Sequence, residues 1–312
     1  MKILYMGTPD FAVEPMRALR EAGHELLGVV TQPDRPKGRG MKMLAPPVKE
    51  AALAWGIPVS QPETLRGYAI KPLLEEWKPE LIVVAAYGKL LPPYVLKAAP
   101  YGCINVHASL LPKYRGAAPI QHAILAGERE TGVTIMYMAK ELDAGDIILM
   151  ESTPIGEQET AGELTERLSG IGAALLLRAV EQLRDGTAVR TPQQHELSTY
   201  AHMITREDAR LDWTRPAREV ADRIRAMLPA PGAFALCGDQ TYKFADAIVT
   251  EGSGAPGTVL DVREGRMIVA CGAGAVAVSQ IQAPGSRRMP VPDYARGHEL
   301  PEKFDCEGAQ HG

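Results

Sequence analysis

The chain has little cysteine, and what it has is scattered. Cys103, Cys237, Cys271 and Cys306 form no Cys-x-x-Cys pair in 312 residues, which argues against a disulfide framework or a zinc site and fits a reducing compartment. No apolar run approaches the roughly 18 residues that span a bilayer, and the opening Met1-Lys-Ile-Leu-Tyr-Met-Gly7 is too short for a signal peptide. A cytoplasmic protein without membrane association is therefore expected. Charge excess is also missing: the formal net charge is −4, so no global field points to nucleic acid. The glycines after the first apolar run are not spaced Gly-x-Gly-x-x-Gly, and a nicotinamide-dinucleotide reading lacks its fingerprint. There is no nucleophile elbow and no metal-ligand spacing. No metal is expected, and neither an internal repeat nor a low-complexity tract interrupts the chain.

What remains is an ordinary globular composition, 46% apolar and 23% charged, in a chain long enough for about two domains on the prior of ~150 residues each. Residues 2–6 read as a buried strand. Thr8 is placed to cap a helix with Pro9 at its first position, and that helix stops at Gly23. Glu25–Thr31 is a second apolar strand. A βαβ opening predicts a right-handed crossover and a parallel sheet, hence an α/β fold. Leu81–Ala86 is apolar throughout, as a central parallel strand covered on both faces must be. It runs into Tyr87-Gly88-Lys89-Leu90, at the strand edge where open α/β sheets bind ligands. Thr131–Met138 and Asp146–Met150 predict two further strands, joined by a loop that holds Asp143. Thr160-Ala-Gly-Glu163 is a capping box that opens a long helix.

From Thr187 to Arg206 apolar periodicity disappears. The expected organisation is a catalytic domain over 1–188, a linker over 189–206 and a second domain over 207–312. Beyond a helix at Ala217–Ala226, short strand-like runs separated by glycine-rich turns predict a small β-barrel. The stretch Gln32–Ala45 carries Arg35, Lys37, Arg39 and Lys42 against Asp34 alone. It is longer than a βα connection of about two to six residues needs to be.

The most informative stretch is Gly102–Gly116. Asn105 and His107 are two apart on a strand, so their side chains share one side. An Asn amide donates hydrogen bonds without changing charge, which suits a developing oxyanion. His107 exchanges protons near neutral pH, and Asp143 can accept one from an incoming amine through a water. Together these three support direct transfer of an acyl-level carbon through a tetrahedral intermediate.

Asn105-Val-His107-Ala-Ser-Leu-Leu-Pro112, then Arg115-Gly116, then Leu142-Asp143-Ala-Gly145-Asp146, resemble the folate-dependent formyltransferase family. The resemblance implies a Rossmann-like parallel-sheet formyltransferase domain and a C-terminal β-barrel of oligonucleotide-binding type. It implies Asn105, His107 and Asp143 as catalytic residues. Tetrahydrofolate would lie against Ser109, Leu110, Leu111 and Pro112, with Tyr87, Gly88 and Leu90 beside it. The donor would be 10-formyltetrahydrofolate and the acceptor a primary amine. Gly7-Thr-Pro-Asp-Phe11, Gln32–Gly40, Ala86-Tyr-Gly88, Arg115–Gln121 and the second domain extend the resemblance over nearly the full length. They imply methionyl-initiator tRNA as the amine, contacted through Arg35, Lys37, Arg39 and Lys42, and a monomeric enzyme. Glycinamide ribonucleotide and amino sugar nucleotides remain alternative amines. In one place the chain departs from the family: its usual Pro-Trp-Pro-Gly is Pro229-Ala-Pro-Gly232 here. Acidic residues slightly outnumber basic ones after residue 207, so an RNA contact has to come from a local patch.

Overall fold

The computed structural model describes residues 1–37 and 42–306, with only the backbone described for Lys37 and Lys42. These residues divide into two compact units. One comprises Met1–Pro119, Glu130–Pro154 and Thr165–His202; the other comprises Ile120–Arg129, Ile155–Leu164 and Met203–Gly312.

The first unit is an α/β sheet. Its chain runs β1 (Lys2–Gly7), α1 (Val13–Glu21), β2 (Glu25–Val30), β3 (Arg35–Lys37), β4 (Lys42–Leu44), α2 (Pro47–Ala54), β5 (Val59–Ser60), α3 (Lys71–Trp77), β6 (Leu81–Ala85), α4 (Pro93–Leu96), β7 (Cys103–His107) and β8 (Arg115–Gly116). After α5 (Pro119–Leu125) come β9 (Glu130–Tyr137), β10 (Ile147–Pro154), α6 (Ala161–Arg184) and β11 (Tyr200–Ala201). The sheet order is β10-β9-β7-β6-β1-β2-β5. Strands β5, β2, β1, β6 and β7 are parallel. β1 and β6 are buried nearly throughout, as strands covered on both faces are.

The sheet is mixed rather than parallel throughout. β9 pairs antiparallel with β7, His107 opposite Thr134 and Asn105 opposite Met136, and β10 pairs antiparallel with β9. The chain therefore leaves β9 beside Ile104, near the start of β7. The loop with Asp143 starts from that side and not from the C-terminal edge of the parallel strands.

Two local expectations change. Thr8 does not cap a helix: Asp10–Ala12 is a 3-10 turn whose cap is Pro9, with no side-chain bond. The Thr8 hydroxyl instead donates to the Tyr87 carbonyl at 3.3 Å and accepts from the Gln32 amide at 3.4 Å, tying three loops at one sheet edge. Within the 32–45 stretch, β3 and β4 pair antiparallel, Arg35 opposite Leu44 and Pro36 opposite Met43. The capping box does form, the Thr160 amide donating to Glu163 Oε2 at 2.9 Å and the Glu163 amide to Thr160 Oγ1 at 3.3 Å. On α6, a Cβ at Gly172 would stand 3.0 Å from Val106. The helix thus covers the Val106 face of β7, leaving the other face to Asn105 and His107.

The second unit carries α7 (Ala217–Ala226), β12 (Phe234–Cys237), β13 (Gln240–Thr250), β14 (Val259–Arg263), β15 (Arg266–Ala270), β16 (Ala275–Gln282), β17 (Met289–Pro290) and α8 (Val291–Ala295). The strands form one antiparallel sheet, β12-β13-β16-β15-β14, with β17 on β16. Trp213, Phe244 and Phe304 meet at its centre with ring centroids 5.2 to 5.8 Å apart.

Candidate active site

Asn105 and His107 sit on the last turns of the β7 pleat, pointing to one face and nearly buried. His107 Nε2 lies 3.0 Å from the Tyr114 carbonyl. A carbonyl can only accept, so Nε2 carries the hydrogen, and the proton-exchanging nitrogen is Nδ1. Nδ1 faces Asp143 Oδ2 at 3.8 Å, in ion-pair range but beyond a hydrogen bond. The same Oδ2 accepts from the Gly116 amide at 2.8 Å. Asp143 Oδ1 and the Asn105 amide make no hydrogen bond among the described residues. An acceptor is thereby left beside the imidazole, and a donor on the same strand face as His107.

The three functional groups are held by short-range chemistry. Thr134, opposite His107, accepts from the Leu111 amide at 3.2 Å and donates to the Ser109 carbonyl at 2.6 Å, pinning the turn after β7 to β9. Ser109 is fully buried, and its hydroxyl donates to the Lys113 carbonyl at 2.7 Å. Gly116 is required where β8 meets β11: its φ is +119°, and a Cβ would stand 2.5 Å from the Ala201 carbonyl oxygen. Asp143 itself is in the left-handed region at φ +48°, a conformation that persists only where the surroundings hold it.

The residues expected to meet a folate separate into two groups. Tyr87 and Leu111 are buried and back their loops, and Ser109 is used within its own turn. Leu110 and Pro112 are half-buried, Gly88 is exposed, and Leu90 is 70% exposed. Since β6 and β7 are adjacent parallel strands, the loops that carry these four side by side follow the same sheet edge. Exposed Leu90, two residues after Gly88, with half-buried Leu110 and Pro112 on the neighbouring loop, offers an apolar wall with backbone polar groups, which suits a planar, hydrogen-bonding ring.

Among the basic residues, Arg35 is exposed on β3; Arg39 and the side chains of Lys37 and Lys42 lie outside the described residues. Asp34 cannot neutralise them. Lys49 donates to both its oxygens at 2.9 and 2.7 Å, and Gln61 adds a bond at 2.7 Å. The Gln61 bond, followed by those from Lys49, holds the Asp34 carboxyl below its usual range. Burial, aided by the charge of Arg35, pulls the Lys89 ammonium below its ordinary value, so Arg35 stands near the loop after β6. Asp146 points elsewhere, 3.7 Å from Arg190, whose guanidinium lies over the Tyr137 ring.

The formyl transferase family model matches residues 1–180, and the formyl transferase C-terminal domain model matches 203–299. The chain belongs to the formyl transferase family. It is 47% identical over 97% of its length to the methionyl-tRNA formyltransferase of Pelotomaculum thermopropionicum, covering 97% of that protein. It is 48% identical over 96% of its length to that of Syntrophus aciditrophicus, again covering 97%. Among solved structures, HypX from Aquifex aeolicus in complex with tetrahydrofolic acid is 21% identical with a TM-score of 0.66, over 94% of this chain and 46% of that one. The sugar 3N-formyl transferase WlaRD is 19% identical with a TM-score of 0.67, over 92% and 99%. These two likenesses are of fold.

Sequence reasoning missed Gln193 and the backbone groups of Tyr114 and Gly116. Gln193 lies in the stretch without apolar periodicity, where nothing marks a buried residue. The Gly116 amide had a signal in the Arg-Gly pair, but a backbone donor has no side chain to read.

Proposed function

We propose that this chain transfers the formyl group of 10-formyltetrahydrofolate to the α-amino group of methionyl-initiator tRNA, giving N-formylmethionyl-tRNA. The observation that carries this reading is full-length identity near one half to proteins of that name, joined to an uncommitted amide donor on the His107 face of β7 and an uncommitted oxygen on the carboxylate beside His107. When bound, the folate supplies an activated formyl group. Asn105 donates to the formyl oxygen as it gains negative charge, and His107 completes that stabilisation through a proton on Nδ1. Asp143 Oδ1 accepts the amine's proton, directly or through a water, while Oδ2 stays on Gly116. Leu110, Pro112, Gly88 and Leu90 hold the folate ring, with Ser109, Leu111 and Tyr87 supporting them from behind. The enzyme is proposed to act as a cytoplasmic monomer and without a metal. Its catalytic domain is taken as 1–188, joined through 189–206 to a tRNA-binding domain at 207–312.

The test is formyl transfer from 10-formyltetrahydrofolate to purified charged initiator tRNA, with charged elongator tRNA, glycinamide ribonucleotide and an amino sugar nucleotide as competitors. Selective formylation of the initiator is expected. Equal or better turnover of glycinamide ribonucleotide or the sugar would overturn the reading.

Arg35, Lys37, Arg39 and Lys42 are assigned to the acceptor end of the tRNA, as four cations in a stretch whose one carboxylate, Asp34, is committed to Lys49 and Gln61. Arg makes bidentate contacts that Lys cannot. Arg39→Ala is expected to lower kcat/KM for charged tRNA by ~10-fold or more, from about 1–3 kcal/mol per bidentate contact. The KM for the folate should hold, and Lys42→Ala should flatten the salt dependence. Steady-state kinetics at two salt concentrations read both. Unchanged tRNA parameters in Arg39→Ala would return the loop to solvated surface. Ala230, where the family has Trp, is exposed, so the replacement removes no core packing and bears only on surface contacts.

A further inference from the structure

Gln193 is 6% exposed, and all four hydrogen-bonding positions of its amide are filled. Oε1 accepts from Arg115 Nη2 at 2.6 Å and Nε at 3.2 Å. Nε2 donates to the carbonyls of Asp143 at 2.9 Å and Gly145 at 2.8 Å. Arginine only donates and carbonyls only accept, so the amide fits in one orientation. Nε2 also lies 3.9 Å from Met136 Sδ, on the residue opposite Asn105 in the β7–β9 ladder. Arg115 is itself 3% exposed, and its remaining partner is His195 Nδ1 at 3.1 Å, which accepts. Its neighbour Gly116 supplies the amide that holds the Asp143 carboxylate. One glutamine thus grips the Asp143 backbone from above while residue 116 grips its side chain.

We propose that Gln193, seated on Arg115, is a positioning residue that sets the separation of Asp143 from His107. The inference rests on the reading of Asp143 as the group that takes the amine's proton. Asp143 sits at φ +48°, a conformation the loop does not keep unaided, and the donated bonds to the 143 and 145 carbonyls flank that residue. Among the described residues no other hydrogen bond reaches the Asp143 carbonyl. Displacing a reacting group by about 1 Å can cost ~10²-fold in rate. Loss of this bracket therefore acts on turnover and not on substrate binding, since Gln193 is buried behind the loop.

The experiment compares Gln193→Leu and Gln193→Glu by kcat, by KM for 10-formyltetrahydrofolate and charged tRNA, and by thermal melting. The Glu variant keeps an acceptor for Arg115 but turns an acceptor toward the two carbonyls. Both variants are expected to fold and to lose about 10- to 10²-fold in kcat with both KM values held. A folded Glu variant with wild-type kcat overturns the proposal, because the donated bonds would then be dispensable. A wild-type kcat in the Leu variant does the same, and so does failure of both variants to fold, which would make Gln193 a stability residue. Asp143→Asn separates the two readings: an active Asn variant removes the premise, whereas an inactive Asn variant beside active Gln193 variants removes only the bracket.

Discussion

Asn105→Ala and His107→Ala are expected to lower kcat by about 10²–10⁴-fold while leaving the KM for the formyl donor unchanged. The magnitude follows from the roles. Loss of one preorganised donor to an oxyanion costs ~10²–10³, and loss of a positioned acid or base ~10²–10⁴. The selectivity for kcat follows from geometry. The Asn105 amide hydrogen-bonds to no described residue, so Ala removes a donor without breaking a hydrogen bond of the resting fold. The wall proposed for the folate, Leu90, Leu110 and Pro112, is on other residues. His107→Ala does break the bond to the Tyr114 carbonyl, so His107→Asn belongs beside it as a variant that retains a donor. Steady-state kinetics with a melting curve for each variant checks the expectation. If Asn105→Ala turns over at the wild-type rate, the oxyanion is stabilised by something else.

The second large effect is at Asp143, where Asp143→Asn is expected to cost about 10²–10⁴-fold in kcat, the range for a lost general base. Asparagine keeps an oxygen for the Gly116 amide and tolerates the left-handed backbone, so the loop retains its anchor. What disappears is the negative charge 3.8 Å from His107 Nδ1 and the capacity to take a proton. A carboxylate at that distance favours positive charge where it appears on the imidazole or the incoming amine. Asp146 cannot substitute, being turned to Arg190. Single-turnover measurement with charged tRNA isolates the chemical step. A wild-type rate in Asp143→Asn would leave Asp143 as a turn residue.

The β7 side of the site was legible because strand alternation fixes which side chains share a face: Asn105 and His107 had to point together once 103–107 was a strand. The βαβ opening gave the parallel core for the same kind of reason. Apolar periodicity carries no strand direction, so the antiparallel course of β9 and the approach of Asp143 across it were not readable. Thr8 shows a further limit. Its sequence context, Thr-Pro, is that of a helix cap, but a carbonyl 79 residues away took its hydroxyl. Gln193 was hidden because a single buried polar residue without apolar neighbours has the texture of a linker, and only its partners distinguish it.

The antiparallel insertion of β9 also sets an order in time. Asn105 and His107 are made early, but Gln193 and the β11 segment that grips Gly116, which hold the Asp143 loop, come 50 or more residues after Asp143. A chain emerging from the ribosome N-terminus first, at about 5–20 residues per second, can lay down β1, β2, β6 and β7 well before those residues exist. The nascent sheet would then carry an exposed half-site with no competent partner for several seconds. The surroundings that hold Asp143 are therefore complete only once residues 193–201 have been made.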